Sequence, residues 1–247
     1  LEQFPEVRSL ARAELGDVIR AWQGLGYNRR AVNLHRAAQV IVRDHGGRVP
    51  GDVQTLRTLP GLGDYTASAV ACVAFDAQVP VVDVNVHRVV ARAVHGKQPR
   101  DVLPSLVRET AVDLLPRGEA YRWSQALMDL GATLCTSGAP HCDGCPLAAT
   151  CAYSTEDHPR ARPASSMRAT QPFEGSSRQH RGRVIQLLRG APNGLTLGVL
   201  AQRSALPSAA DTPALSAILE GLERDGLVVL TRAARAGSNR GIVRLPR

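Results

Sequence analysis

Four of the five cysteines of this chain lie within 17 residues, in CTSGAPHCDGCPLAATC, Cys135 to Cys151. The gaps between them are six, two and five residues. At this density four unrelated buried cysteines are disfavoured, which leaves disulfide bridges or a shared ligand. The chain reads without a secretory signal or an apolar run of membrane-spanning length, which disfavours disulfides and favours metal. The fifth cysteine, Cys72, sits in SAVACVAF and reads as buried helix. Zinc sites normally use two ligand pairs separated by a long insert. Four unequally spaced ligands on one loop fit an iron–sulfur cube better. A 4Fe-4S cluster on Cys135, Cys142, Cys145 and Cys151 is therefore expected, with a single zinc as the alternative.

Charge points to the partner. The 247 residues carry a net charge of +8, unevenly placed. Residues 1–159 hold 16 basic and 17 acidic side chains; residues 160–247 hold 14 and 5. A basic C-terminal third implies a polyanion, with nucleic acid first. Lys97 is the only lysine.

Residues 1–134 read as successive short helices. AELGDVIRAW has helical spacing, NRRAVNLHRAAQVIVRDHGG closes on glycines, and VNVHRVVARAV places Val86, Val89, Val90 and Val94 on an apolar side. Two further helices are expected at about 102–115 and 119–134, and no sustained strand before residue 225. Residues 154–177, rich in Pro, Ser and charge, read as a linker. Residues 178–247 read as three helices and a two-strand hairpin, a winged-helix-like pattern. The expected organisation is a unit over 1–153 that ends in the cysteine loop 135–151, then the linker, then the small basic domain. The chain opens at Leu1 in mid-pattern, so an N-terminal segment is expected to be absent.

VQTLRTLPGLGDYTASAVACVAF reads as two helices joined by a tight turn. Gly61 and Gly63 permit positive φ and leave the backbone bare around Leu62. The amides of such a turn, aided by the next helix's dipole, can hold a phosphate oxygen without reading sequence. Twenty residues beyond Gly63, Asp83 stands in PVVDVNVHRVV at the mouth of a helix. Aspartate is a good N-cap, and that alone would explain it. A carboxylate held ionised by the helix dipole could also stabilise or attack an oxocarbenium-like sugar cation.

The helix–hairpin–helix LPGLGDYTA, then VPVVDVNVHRV, then C-x6-C-x2-C-x5-C together resemble the endonuclease III/MutY superfamily of DNA glycosylases. Trp22–Ala38, Trp123–Thr136 and Asn85 are similar to the MutY-type adenine glycosylases in particular. The resemblance covers residues 1–153. It implies a mainly α, helix–hairpin–helix glycosylase fold. It assigns Asp83 as the catalytic aspartate and Asn85 as a residue that helps hold the sugar. It gives Gly61, Leu62 and Gly63 the phosphate clamp, and places Leu25 and Tyr27 as a wedge beside 8-oxoguanine opposite the target. Gln125 and Asp129 fall at pocket positions near the flipped adenine, and the four cysteines become cluster ligands.

Tyr65 stands where endonuclease III-type enzymes carry the lysine that forms a Schiff base and cuts the strand. A phenol cannot do this, and Lys97 matches no catalytic position, so base removal without strand cleavage is implied. Two departures matter. The glutamate that protonates the departing adenine precedes Leu1 in the family pattern, so this fragment is expected to be impaired. Residues 178–247 are too short and too helical for the MutT-like domain that usually ends a MutY chain. The function implied is excision of adenine mispaired with 8-oxoguanine or guanine in double-stranded DNA, by a monomer in the bacterial cytoplasm, nucleoid-associated and without a membrane. A same-fold glycosylase for mismatched thymine or uracil, and a non-enzymatic iron–sulfur DNA-binding regulator, remain as alternatives.

Overall fold

The structure is a computed structural model that describes residues 2–153, 173–204 and 212–247. It is mainly helical. Contacts divide it into two compact units.

One unit comprises Pro50–Thr58 and Leu62–Ala169, of which the described part ends at residue 153. It contains α4 (Val53–Thr58), α5 (Asp64–Phe75), α6 (Val84–Ala93), α7 (Pro104–Asp113) and α8 (Ala120–Thr133). Proline opens α7, where its missing N–H costs nothing. Helix α6 packs its valines Val86 and Val90 with Val102 and Val107. Cys72 is fully buried with Val81 and Ala120, as its apolar context implies. Helices α6 and α8 cross closely: a Cβ on Gly131 would lie 2.6 Å from that of Asn85. Val94 departs from its expected apolar side and is 43% exposed, because α6 ends at Ala93 and Val94 is its C-cap.

The other unit joins Leu1–Val49 and Leu59–Gly61 to Thr170–Arg247. It contains α1 (Val7–Arg12), α2 (Leu15–Ala21), α3 (Arg29–Asp44), α9 (Ser177–Arg189), β1 (Leu195–Thr196), α10 (Leu197–Arg203), α11 (Thr212–Arg224), β2 (Val229–Leu230), α12 (Arg232–Arg235) and β3 (Ile242–Arg244). Helix α3 runs into Gly46 and Gly47, both at positive φ, as a helix stop requires.

Two findings depart from the sequence reading. The division drawn at 153 and 178 does not follow the packing: Val18, Ile19 and Val32 share one core with Val184, Leu188, Leu222 and Val243. Apolar spacing shows which face of a helix is buried, but not which helix covers it. The C-terminal stretch also holds more than three helices and a hairpin. Leu195 pairs with Val243, and Leu230 pairs with Val243 from the other side, giving an antiparallel sheet in the order β1–β3–β2. Strands of two or three residues leave no alternation to read. Ser176, inside the expected linker, already caps α9 through its hydroxyl, and residues 154–172 lie outside the described residues.

Candidate active site

Asp83 is the N-cap of α6, in extended backbone at φ −92° and ψ −174°. Its Oδ1 accepts from the backbone N–H of Asn85 at 2.8 Å and of Val86 at 2.7 Å. Its Oδ2 accepts from the Asn85 side-chain amide at 2.8 Å. Three donors thus orient one carboxylate, two of them helix N–H groups that would otherwise lack partners. Asp83 is partly exposed, at the lip of a cavity.

The next layer was not foreseen. Arg88, 9% exposed, lies one turn along α6. Its Nη2 donates to Asn85 Oδ1 at 2.7 Å and to the Gly131 carbonyl at 2.6 Å. Its Nε donates to the Cys135 carbonyl at 2.6 Å. A planar fork suits three acceptors in fixed directions. Burial pulls the Arg88 pKa below its ordinary value, opposed by the Cys135 thiol. A second turn on, Arg92, 2% exposed, donates to the Thr136 carbonyl at 2.7 Å, and its Nη1 stands 3.5 Å from Cys135 Sγ. Arg92 also lies over the Tyr153 ring, 5.2 Å from its centre. Gln98 donates to the Tyr153 hydroxyl. The signal was present in the sequence: two arginines four apart in an otherwise apolar helix lie on one face.

The cavity, about 840 Å³, is lined by Tyr65, Asp83, His87, Arg88, Arg92, Gln98, Arg100, Arg108 and Ser137, with apolar walls from Val82, Val84, Pro99 and Pro104. One carboxylate therefore faces several cationic groups, an arrangement suited to a polyanion that must meet a single negative charge. His87 Nε2 and Arg92 Nε are buried there without a hydrogen-bond partner among the described residues.

Cys135, Cys142, Cys145 and Cys151 follow α8, all free and half-buried. The loop returns to α6: the Ala152 N–H donates to the Ala93 carbonyl at 2.9 Å. Among the described residues no three His, Cys, Asp or Glu side chains converge on one ion. A zinc ion needs four sulfurs at about 2.3 Å from one centre. Yet the thiols feel one another: burial and then Cys151, Cys135 and Cys145 push the Cys142 pKa up. Four thiols close enough to act on one another are a soft donor set of the kind that holds a metal or cluster.

Tyr65, on the first turn of α5, is 48% exposed and lines the cavity with Asp83. In the hairpin turn only one glycine meets the conformational argument. Gly61 has φ +82°, and a Cβ there would lie 2.6 Å from Asn33 atoms. Gly63 has φ −86° and caps α5 in extended backbone, with nothing within 4 Å of a built Cβ. Gly63 therefore leaves its surface bare without requiring a left-handed backbone. Leu62 is half-buried between them. Leu25 and Tyr27 are 64% and 71% exposed on the α2–α3 loop. Gln125 and Asp129 stand one turn apart on α8, half-buried and exposed, and do not line the cavity.

The HhH-GPD superfamily base excision DNA repair protein model matches residues 1–113. The chain is 45% identical over 236 residues to the adenine DNA glycosylase of Mycobacterium tuberculosis, covering 94% of this chain and 74% of that protein. Among solved structures it is similar to a thermostable thymine-DNA glycosylase, with a TM-score of 0.58 and 29% identity over 63% of this chain and 72% of that one. It is also similar to a trapped endonuclease III–DNA covalent intermediate, with a TM-score of 0.52 and 26% identity over 61% and 70% of the two chains.

Proposed function

The chain belongs to the adenine DNA glycosylase family of base excision repair enzymes, and from that premise we propose how its residues divide the work. It is a glycosylase; the reaction breaks the bond between adenine N9 and the sugar C1′. Asp83 faces the sugar and stabilises the positive charge that builds at C1′ as the base leaves. The observation that carries this role is the three-donor cradle of the Asp83 carboxylate at the cavity lip. Asn85, held by Arg88, keeps that carboxylate in place. Water then adds to C1′, releasing a proton and leaving an abasic sugar.

Tyr65 replaces an amine at the cavity wall, so no Schiff base forms and the strand stays whole. Gly61, Leu62 and Gly63 hold the DNA backbone through amides. Leu25 and Tyr27 stand beside the base opposite the target, 8-oxoguanine or guanine, and Gln125 and Asp129 lie near the flipped adenine. Extrusion costs a few kcal/mol, less at a mispair. Residues 178–247, whose described elements run helix–strand–helix–helix–strand–helix–strand with Arg232 and Arg240 exposed, act as a winged-helix-like contact to the DNA backbone. Cys135, Cys142, Cys145 and Cys151 would hold a 4Fe-4S cluster. When bound, that group supplies a rigid fastening for the loop and no electron to the reaction. The enzyme works as a monomer, and its substrate places it in the bacterial cytoplasm.

The test is Asp83→Asn in the full-length protein, under single-turnover conditions on an adenine:8-oxoguanine duplex. Base release should be abolished while DNA binding changes little. Retention of more than about a tenth of the rate, a loss under ~1.4 kcal/mol, would remove Asp83 from its role. Release of thymine in place of adenine from the matching mispairs would move the enzyme to the mismatch-thymine class.

A further inference from the structure

Between α2 and α3 the chain turns sharply through residues 22–28. Gly24, Gly26 and Tyr27 have φ of +85°, +67° and +43°. For glycine this is ordinary; for tyrosine it is an uncommon backbone that its surroundings must impose. Two hydrogen bonds brace the turn from within. The Trp22 indole N–H donates to the Gly26 carbonyl at 2.8 Å, and the Leu25 N–H to the Trp22 carbonyl at 3.3 Å. The exposed Leu25 and Tyr27 depend on the backbone for their direction, with Arg30 over the Tyr27 ring.

The two ends of this loop are joined from the far end of the sequence. Arg189, the last residue of α9, donates from Nε to the Ile19 carbonyl at 3.0 Å and from Nη2 to Asn28 Oδ1 at 2.8 Å. Ile19 lies in the last turn of α2, where helices leave carbonyls without partners. Asn28 is the N-cap of α3 but makes no side-chain bond to its own helix. Its amide oxygen is turned to Arg189 instead. Among the described residues no carboxylate pairs with Arg189, and burial lowers its pKa. A planar fork held by two acceptors in fixed directions sets geometry more than it neutralises charge. A second tie reinforces the first: Asp225, just past α11, pairs with Arg29 of α3 at 3.5 Å and with Arg181 of α9.

We infer that Arg189 is a positioning residue for the Leu25–Tyr27 loop: its fork fixes the separation of α2 and α3 ends, so that the base opposite the target meets a preset wedge. This rests on the reading that Leu25 and Tyr27 stand beside that base. It gives the C-terminal segment a part in lesion discrimination without any direct contact to the lesion. A loop released from the clamp would have to be ordered on binding, which weakens recognition.

The test uses the full-length enzyme with Arg189→Gln, Arg189→Lys, Asn28→Ala and Tyr27→Ala, each checked by thermal melting. The probe is a duplex with non-hydrolysable 2′-fluoroadenosine opposite 8-oxoguanine or guanine; the readout is the ratio of the two Kd values. Arg189→Gln and Asn28→Ala should each lower that ratio about tenfold, equivalent to ~1.4 kcal/mol, and the double variant no further. Arg189→Lys should not restore it, because an ammonium is not a fork. In a Trp123→Phe background Trp22 emission should shift to the red in both variants. The rate of base release at saturating DNA should change less than about twofold, a binding loss without a loss in the chemical step. Should Arg189→Gln fail to fold, Asn28→Ala decides alone. An unchanged ratio in folded Arg189 or Asn28 variants, while Tyr27→Ala lowers it, overturns the inference and leaves the wedge intact. An unchanged ratio in Tyr27→Ala overturns the wedge reading and the inference together.

Discussion

Arginine is used in two ways in this molecule. On α6, Arg88 and Arg92 are buried and hold backbone carbonyls and an amide oxygen. Around α11, Arg181 and Arg235 pair with carboxylates, Asp225 and Glu223, nearer the surface. An arginine on carbonyls fixes where neighbouring strands of backbone lie, while one on a carboxylate mainly neutralises charge. The first kind gathers beside the Asp83–Asn85 cap, the second around the C-terminal helices. Arg189 belongs with the first kind although it lies among the second, and that is why it marks the loop it holds.

Arg88→Ala should give the largest effect. It strips three acceptors of a charged donor at once and leaves Asn85 free to turn. A stability loss of about 4 kcal/mol is expected in urea titration, with base release falling together with Asp83's alignment. A loss under ~1 kcal/mol would mean that Arg88 only neutralises charge, and the contrast between the two kinds of arginine would fail.

Leu222→Ala comes next. Leu222 is 1% exposed in the core shared by α2, α3 and the C-terminal helices. A loss of about 3 kcal/mol is expected. Hydrogen exchange should rise in α3 and α9 together, since they share that core. Exchange confined to α9–α11 would show that the C-terminal segment folds apart from the N-terminal helices.

The smallest effect belongs to Glu223. Its carboxylate accepts two bonds from Arg235 and one from the Leu230 N–H. The Arg235 hydrogen bonds hold its pKa below the ordinary value of 4.5. The pair's contribution is therefore present above that value and is lost as pH falls through the lower folded value. Glu223→Gln should cost about 1 kcal/mol near neutral pH. The difference between variant and wild type should close once the pH is well below that folded value. A difference that persists there would assign the effect to shape and not charge.

Much of this was legible from the sequence because local chemistry encodes it. Asp83 followed by Val84–Asn85 before an apolar helix is a cap signature, and the cap is there. The turn at Gly61 must be glycine both for its φ and for its distance from Asn33. The cysteine spacing places four thiols on one loop. What the sequence did not disclose is long-range. The spacing of Arg88 and Arg92 shows that they share a face of α6, but not that α8 and the loop after it supply their carbonyls. The shared core of α2, α3 and α9 joins segments some 150 residues apart in the chain, a pairing that periodicity does not carry. Gly63 looked like Gly61, yet only its bareness is used.

The central claim is that adenine leaves by displacement at a sugar faced by Asp83, with a phenol at the cavity wall where an amine would cut the strand. Its most direct test is a time course of the full-length enzyme on an adenine:8-oxoguanine duplex, with each sample divided and run on a gel with and without alkali. Strand breaks are predicted only after alkali, at the rate of base loss, with borohydride trapping no protein on the DNA. Breaks that appear without alkali at that same rate would contradict it.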